Sequence, residues 1–142
     1  MDVYPQDLPK SLYLRALELD LESITLCFSG GDDEGFLSVY TQVSKENKWH
    51  EYLTDWQKRE KLKGDKKALL EKFQSDVASF EGDVEDWAWT VYEYSGCGDG
   101  TAYGDDVVYD LKKKTTVASD WCMVRKEGPK SKAKFKVVED EV

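Results

Sequence analysis

Histidine is nearly missing from this 142-residue chain: His50 stands alone. One imidazole cannot build a histidine metal cluster, and no Ser-His pair with a supporting acid can be read from the chain. Between Trp49 and Glu51, in a segment of mixed charge, His50 reads as a surface residue. Cysteine is sparse as well. Cys27, Cys97 and Cys122 form no Cys-x-x-Cys pair, which excludes a zinc ribbon or thioredoxin-like motif and leaves reduced, buried or incidental thiols. Cys97 lies in a glycine loop whose carboxylates disfavour its thiolate, making it a poor nucleophile. No apolar run reaches the length of a membrane span. The first residues lack a basic start followed by an apolar core, so no signal peptide is expected, and the expected compartment is the cytoplasm.

Basic residues are missing locally rather than globally. None occurs from Ala16 to Ser44, and none from Glu81 to Asp110. The second stretch holds Glu81, Asp83, Glu85, Asp86, Glu93, Asp99, Asp105, Asp106 and Asp110. The net charge of -9 is therefore concentrated, and concentrated charge bears on partners more than on fold. Lysine and arginine fall in two blocks. The first, Lys45 to Lys72, is interleaved with acids and reads as a salt-bridged helical surface. The second runs from Lys112 into residues 128–142, a charged tail without patterning that is expected to be mobile. A basic tail could touch nucleic acid, but the overall charge opposes binding to a polyanion, so no direct nucleic-acid contact is expected.

Charged residues make up 35% of the chain and mean hydropathy is -0.65, yet aromatics at 13% supply enough apolar surface for a packed core. The length fits one domain, placed at residues 1–127. Leu8, Leu12, Ala16 and Leu19 predict a helix over about 8–19, with Asp7 as cap and Pro9 in its first turn. Ile24, Leu26 and Phe28 alternate with Thr25 and Cys27 as a strand. Leu37, Val39, Thr41 and Val43 alternate as a second, and the short connection makes the pair an antiparallel hairpin. Trp49, Tyr52, Leu53 and Trp56 predict one helix over about 46–60, with Gly64-Asp65 as a stop followed by a cap.

Leu69, Leu70, Phe73, Val77 and Phe80 form the clearest helical stripe, with a break expected at Gly82 and a new cap at Asp83. Residues 84–94 fit helical spacing, and also strand alternation through Trp87, Trp89 and Val91. Asp83, Glu85 and Asp86 in a first turn favour helix. Val107, Tyr109 and Leu111 predict a strand, Lys112-Lys113-Lys114 a turn, and 116–124 the closing strand. The order α-β-β-α-α-α-β-β implies an α+β domain: a small antiparallel sheet of four strands, as two hairpins, with helices packed on one face.

Two Gly/Asp-rich loops punctuate the chain, Gly30-Gly31-Asp32-Asp33-Glu34-Gly35 and residues 96–106. Neither carries the lysine of a phosphate-binding loop, and each places carboxylates where an anion would sit. Oxygen ligands on flexible turns suit calcium, with Asp32, Asp33, Asp99, Asp105 and Asp106 as candidate metal ligands. EF-hand spacing is absent, adjacent aspartates on an extended chain point apart, and Gly and Asp equally supply turn conformations. No cofactor is expected. Catalytic residues cannot be singled out, although carboxylate-pair chemistry has ample raw material.

Trp87, Trp89, Tyr92, Tyr94, Tyr103 and Tyr109 interleave with the acids, Trp87, Val91 and Tyr109 being assigned to the core. Aromatic anchors amid negative charge suit docking on a basic protein surface. The expected partner-binding residues are Asp83, Glu85, Asp86, Trp89, Glu93, Tyr103, Asp105 and Asp106. The implied protein is a non-enzymatic interaction module with a basic protein partner and no membrane contact. Its pointed form is an inhibitor that occupies a nucleic-acid-binding groove. The alternatives are a calcium-binding module and a small enzyme with carboxylate chemistry.

The turn Gly30 to Gly35 after a strand, the acid-rich helix, and the loop Gly100-Thr101-Ala102-Tyr103-Gly104 before a closing hairpin carry a family likeness. On these features the chain resembles an uncharacterised family of small α+β domains found in bacteria, their plasmids and phages. Thr101 departs from the family's Gly-Ala-Tyr-Gly pattern, and about half the chain is covered. The resemblance implies the fold and a mobile-element origin, and carries no activity or site.

Overall fold

The computed structural model describes residues 5–31, 34–92 and 103–122. The elements are α1 (Lys10–Glu18), β1 (Leu21–Gly31), β2 (Glu34–Val43), α2 (His50–Thr54), α3 (Trp56–Glu60), α4 (Gly64–Val91), β3 (Tyr103–Asp110) and β4 (Thr115–Cys122). All neighbouring strands run antiparallel, in the order β2-β1-β3-β4. The two hairpins are thus joined by the β1-β3 ladder, and β1, the most apolar strand, sits inside the sheet. This is the α+β architecture implied by the element order.

Strand alternation divides the sheet into two unlike faces. The register aligns Val39, Leu26, Val107 and Ala118 across the four strands, and likewise Leu37, Phe28, Asp105 and Asp120. On this face Ile24, Leu26, Phe28, Val107 and Tyr109 are buried against Leu12 and Ala16 of α1 and Phe80, Val84 and Ala88 of α4. Burying a large apolar side chain is worth about 1.5–3 kcal/mol, so this shared interface holds helices and sheet together.

Several helix boundaries depart from the sequence periodicity. Pro9, not Asp7, is the N-cap of α1, and no side chain bonds the helix end. Instead of one helix over 46–60 there are two five-residue helices. Asp55 separates them in extended conformation, its Oδ1 accepting from Gln57 N at 3.0 Å and Lys58 N at 3.4 Å. An aspartate that caps a new helix ends the old one. Asp65 does not cap α4 but lies within its first turn, after Lys63 as N-cap.

The largest correction concerns Gly82. No break occurs there, and α4 continues for 28 residues through Asp83 to Val91, about 42 Å at the usual rise. Phe80, Val84 and Ala88 bury one stripe on both sides of Gly82, which itself faces solvent. A glycine costs a helix only about 1 kcal/mol, less than the burial on either side supplies. Leu69 and Val91, expected to pack inward, are exposed, while Leu70 is buried.

At the β3-β4 turn, Asp110 Oδ1 accepts from Lys112 N and Lys113 N, both at 3.0 Å. This side-chain turn lets three consecutive lysines reverse the chain. Near α1, Gln6 N–H donates to Tyr92 Oη at 2.8 Å, and Tyr109 Oη donates to Gln6 O at 2.6 Å. Because the single Tyr109 proton is committed to Gln6, Tyr92 must donate in the 2.6 Å contact between the two hydroxyls. The closed ring of bonds ties the segment before α1 to the end of α4 and to β3.

Candidate functional site

The second face of the sheet is covered by no helix among the described residues. Its rows, read across β2, β1, β3 and β4, are Ser38-Cys27-Asp106-Ser119, Tyr40-Thr25-Val108-Val117 and Gln42-Ser23-Asp110-Thr115. Phe36, Ser29 and Gly104 begin a fourth row at the far end. No lysine or arginine occupies any of these positions, whereas Asp106 and Asp110 do. Phe36 is 56% exposed, Tyr40 58% and Val117 62%, so all three present most of their surface to solvent on this one face. The face combines aromatic rings, small hydroxylated residues and negative charge.

Cys27 lies near the middle of this face, cross-strand from Asp106. Burial pushes its thiol pKa up to about 11, and a hydrogen bond to Asp106 and repulsion from that carboxylate add to the effect. A thiol held protonated at neutral pH is a weak nucleophile. Cys27 therefore acts here as a small, inert side chain bonded to Asp106. Tyr109, on the helix-covered face, is also raised far above the ordinary phenol range, chiefly by burial and then by its bond to Tyr92.

The expected partner-binding residues are not gathered in one place. Asp83, Asp86 and Trp89 lie exposed along the last turns of α4, with Glu85 half-buried beside them. Asp83 is already engaged, since Arg15 Nη1 approaches its Oδ2 at 2.8 Å. Trp89 is 41% exposed, and its ring meets Phe28 edge-on at 6.3 Å, so part of its surface is packing. Asp106 is on the uncovered sheet face, the opposite side from α4.

Asp105 must be withdrawn from the exposed set. It is 1% exposed and occupies the helix-covered face, because it shares strand parity with Val107 and Tyr109. The same alternation prevents Asp105 and Asp106 from ligating one ion from a single side. Among the described residues no group of three or more His, Cys, Asp or Glu side chains is arranged to hold a metal. Tyr103 opens β3 opposite Gly30 and Cys122. Glu93, Asp32, Asp33 and Asp99 lie outside the described residues, as do most of the second Gly/Asp-rich loop and the tail.

Sequence reasoning passed over Phe36 and Tyr40. The signal was present: Leu37, Val39 and Thr41 define the packed parity of β2, so Phe36, Ser38 and Tyr40 must face away. It also passed over the surroundings of His50, which is half-buried in a cleft beside Thr41 and Glu81. No family model, no curated protein and no solved structure matches this chain.

Proposed function

We propose that the protein is a non-enzymatic interaction module that docks on a basic protein surface through the uncovered face of its sheet. Phe36 and Tyr40 are the anchors, Val117 and Val108 extend the apolar contact, and Asp106 and Asp110 supply the charge. The observation that carries this reading is the coincidence of large, majority-exposed side chains with a sheet face whose described positions hold no lysine or arginine. Aromatic anchors contribute most of the affinity in typical interfaces, while surrounding charge sets approach rate and partner choice. The sheet face is favoured over the acidic turns of α4 because Asp83 there is neutralised by Arg15. The pointed form of the proposal is a mobile-element inhibitor that covers a nucleic-acid-binding surface of another protein. The net charge of -9 supports a protein rather than a nucleic acid as the direct partner. Among the described residues no helix is long and apolar enough to cross a membrane.

The test is a comparison of captured proteins. Wild-type bait, a Phe36→Ser/Tyr40→Ser double variant and an Asp86→Asn/Trp89→Ala double variant are each used on the same extract. The proposal expects one basic protein to be lost with the sheet-face variant, retained with the α4 variant, and released by moderate salt. The opposite pattern moves the interface to α4. Equal retention by both variants removes the proposal.

A further inference from the structure

A second surface feature lies on the other side of the sheet, under the edge of β2. There α4, α2 and β2 enclose a cleft of about 330 Å³. Its floor is one stripe of α4, in which Phe73, Val77 and Glu81 follow at intervals of four residues. Four-residue steps stay on one helical face, so the cleft grades from an aromatic end to a carboxylate end over about 12 Å. Leu53 and His50 of α2 form the outer wall, and Thr41 of β2 the inner one.

Glu81 is half-buried, and Thr41 Oγ1 donates to its Oε2 at 2.6 Å. That bond fixes the carboxylate against the sheet edge. Among the described residues it has no cationic partner, and no lysine or arginine lines the cleft. Elsewhere the exposed acids Glu51, Asp76 and Asp83 each meet a lysine or arginine. A carboxylate that is partly desolvated, oriented by a hydrogen bond and left without a cation attracts one more strongly than a freely solvated carboxylate.

We propose that this cleft binds a primary ammonium carried on a short apolar stem. The ammonium sits against Glu81 and donates to its carboxylate, and the stem lies along Val77 toward Phe73 and Leu53. Two sources present that chemistry, a free arylalkyl amine and the side chain of a lysine in another protein. The inference is independent of docking on the uncovered sheet face, because the cleft opens on the helix side and its test needs no protein partner.

The experiment is a titration of the folded, isotope-labelled full chain followed by amide chemical shifts. The probes are phenethylamine, its neutral counterpart 2-phenylethanol, Nα-acetyl-lysine methylamide and the Nε-acetylated form of that lysine. Phenethylamine is expected to shift Thr41, His50, Leu53, Val77 and Glu81 together, with a Kd on the order of 1 mM for so small a ligand. It should bind at least about fivefold more tightly than the alcohol. Glu81→Gln, which keeps the acceptor for Thr41 but removes the charge, should erase that preference.

Saturable binding of the lysine derivative, lost on Nε-acetylation, assigns the site to a protein side chain. Binding of phenethylamine without the lysine derivative assigns it to a free amine. Three outcomes overturn the proposal: no localised shifts at 10-fold the expected Kd, equal affinity for amine and alcohol, or shifts spread over Asp83, Asp86 and Asp106 as well as the cleft.

Discussion

Gly82→Ala and Gly64→Ala are chemically the same change in the same helix, and the structure assigns them opposite signs. A Cβ at Gly82 meets nothing within 4 Å, and the residue is exposed in the helical interior with no positive φ. The substitution therefore gains the helix-propensity difference with no steric offset, about 0.7–1 kcal/mol. For a chain of this size that raises Tm by roughly 3–5 °C. A Cβ at Gly64 also meets nothing within 4 Å, but its φ is +66°. A side chain there strains the backbone by about 1–2 kcal/mol despite the empty space. Gly64→Ala should lower Tm by several degrees. The assay is thermal unfolding by circular dichroism, with urea unfolding to place both variants on one free-energy scale. If α4 were instead two helices meeting at Gly82, that glycine would take the left-handed position after the first helix. Alanine would then destabilise there too. A fall in Tm for Gly82→Ala refutes the continuous helix, and a rise for Gly64→Ala refutes the left-handed conformation at that glycine.

Tyr109→Phe removes the donor to Gln6 O and the acceptor for Tyr92, and should cost about 1–2 kcal/mol in urea unfolding. It should also speed hydrogen exchange at the Gln6 amide, and unchanged exchange would show that the ring of bonds does not hold that segment. Alkaline pH should weaken the fold. Cys27 and Tyr109 both have folded pKa values above their unfolded ones, so their stabilising effect is complete below about pH 9 and fades as pH rises toward 11. A urea midpoint that does not fall between pH 8.5 and 10.5 would contradict this. Asp106→Asn, in a Cys97→Ser/Cys122→Ser background, should lower the Cys27 pKa without returning it to the ordinary 9.0, because burial is the larger cause. The pH profile of thiol alkylation reads this directly. Asp83→Asn should change stability by no more than about 0.5 kcal/mol, since the Arg15 pair is largely exposed.

Much of the fold was legible because its signals are local. Alternation in β1 and β2, a short connection between them, and lysines after Asp110 suffice for two antiparallel hairpins. The helical reading of 84–94 also held as far as Val91, where acids and the stripe of Val84, Trp87 and Ala88 agree. Boundaries failed where one residue has two uses. Asp55 can sit inside a helix or cap the next, and Gly82 can end a helix or be carried through it. The choice rests on what the flanking turns bury. The candidate site was less legible, because a surface is made by residues far apart in sequence. Phe36, Asp106 and Val117 share a face only through three ladders of pairing.

The chain by itself determined that there are two hairpins and amphipathic helical stripes on either side of Gly82, that the molecule is acidic, and that Asp105 and Asp106 look in opposite directions. Periodicity of 2.0 or 3.6 is written residue by residue and needs no partner. Only the tertiary structure decided which of those two aspartates is buried, which acids meet a cation, and which aromatic rings remain open. Those outcomes depend on which sheet face receives α1 and α4. That choice is settled by the total apolar area buried between distant segments, a quantity no single segment contains.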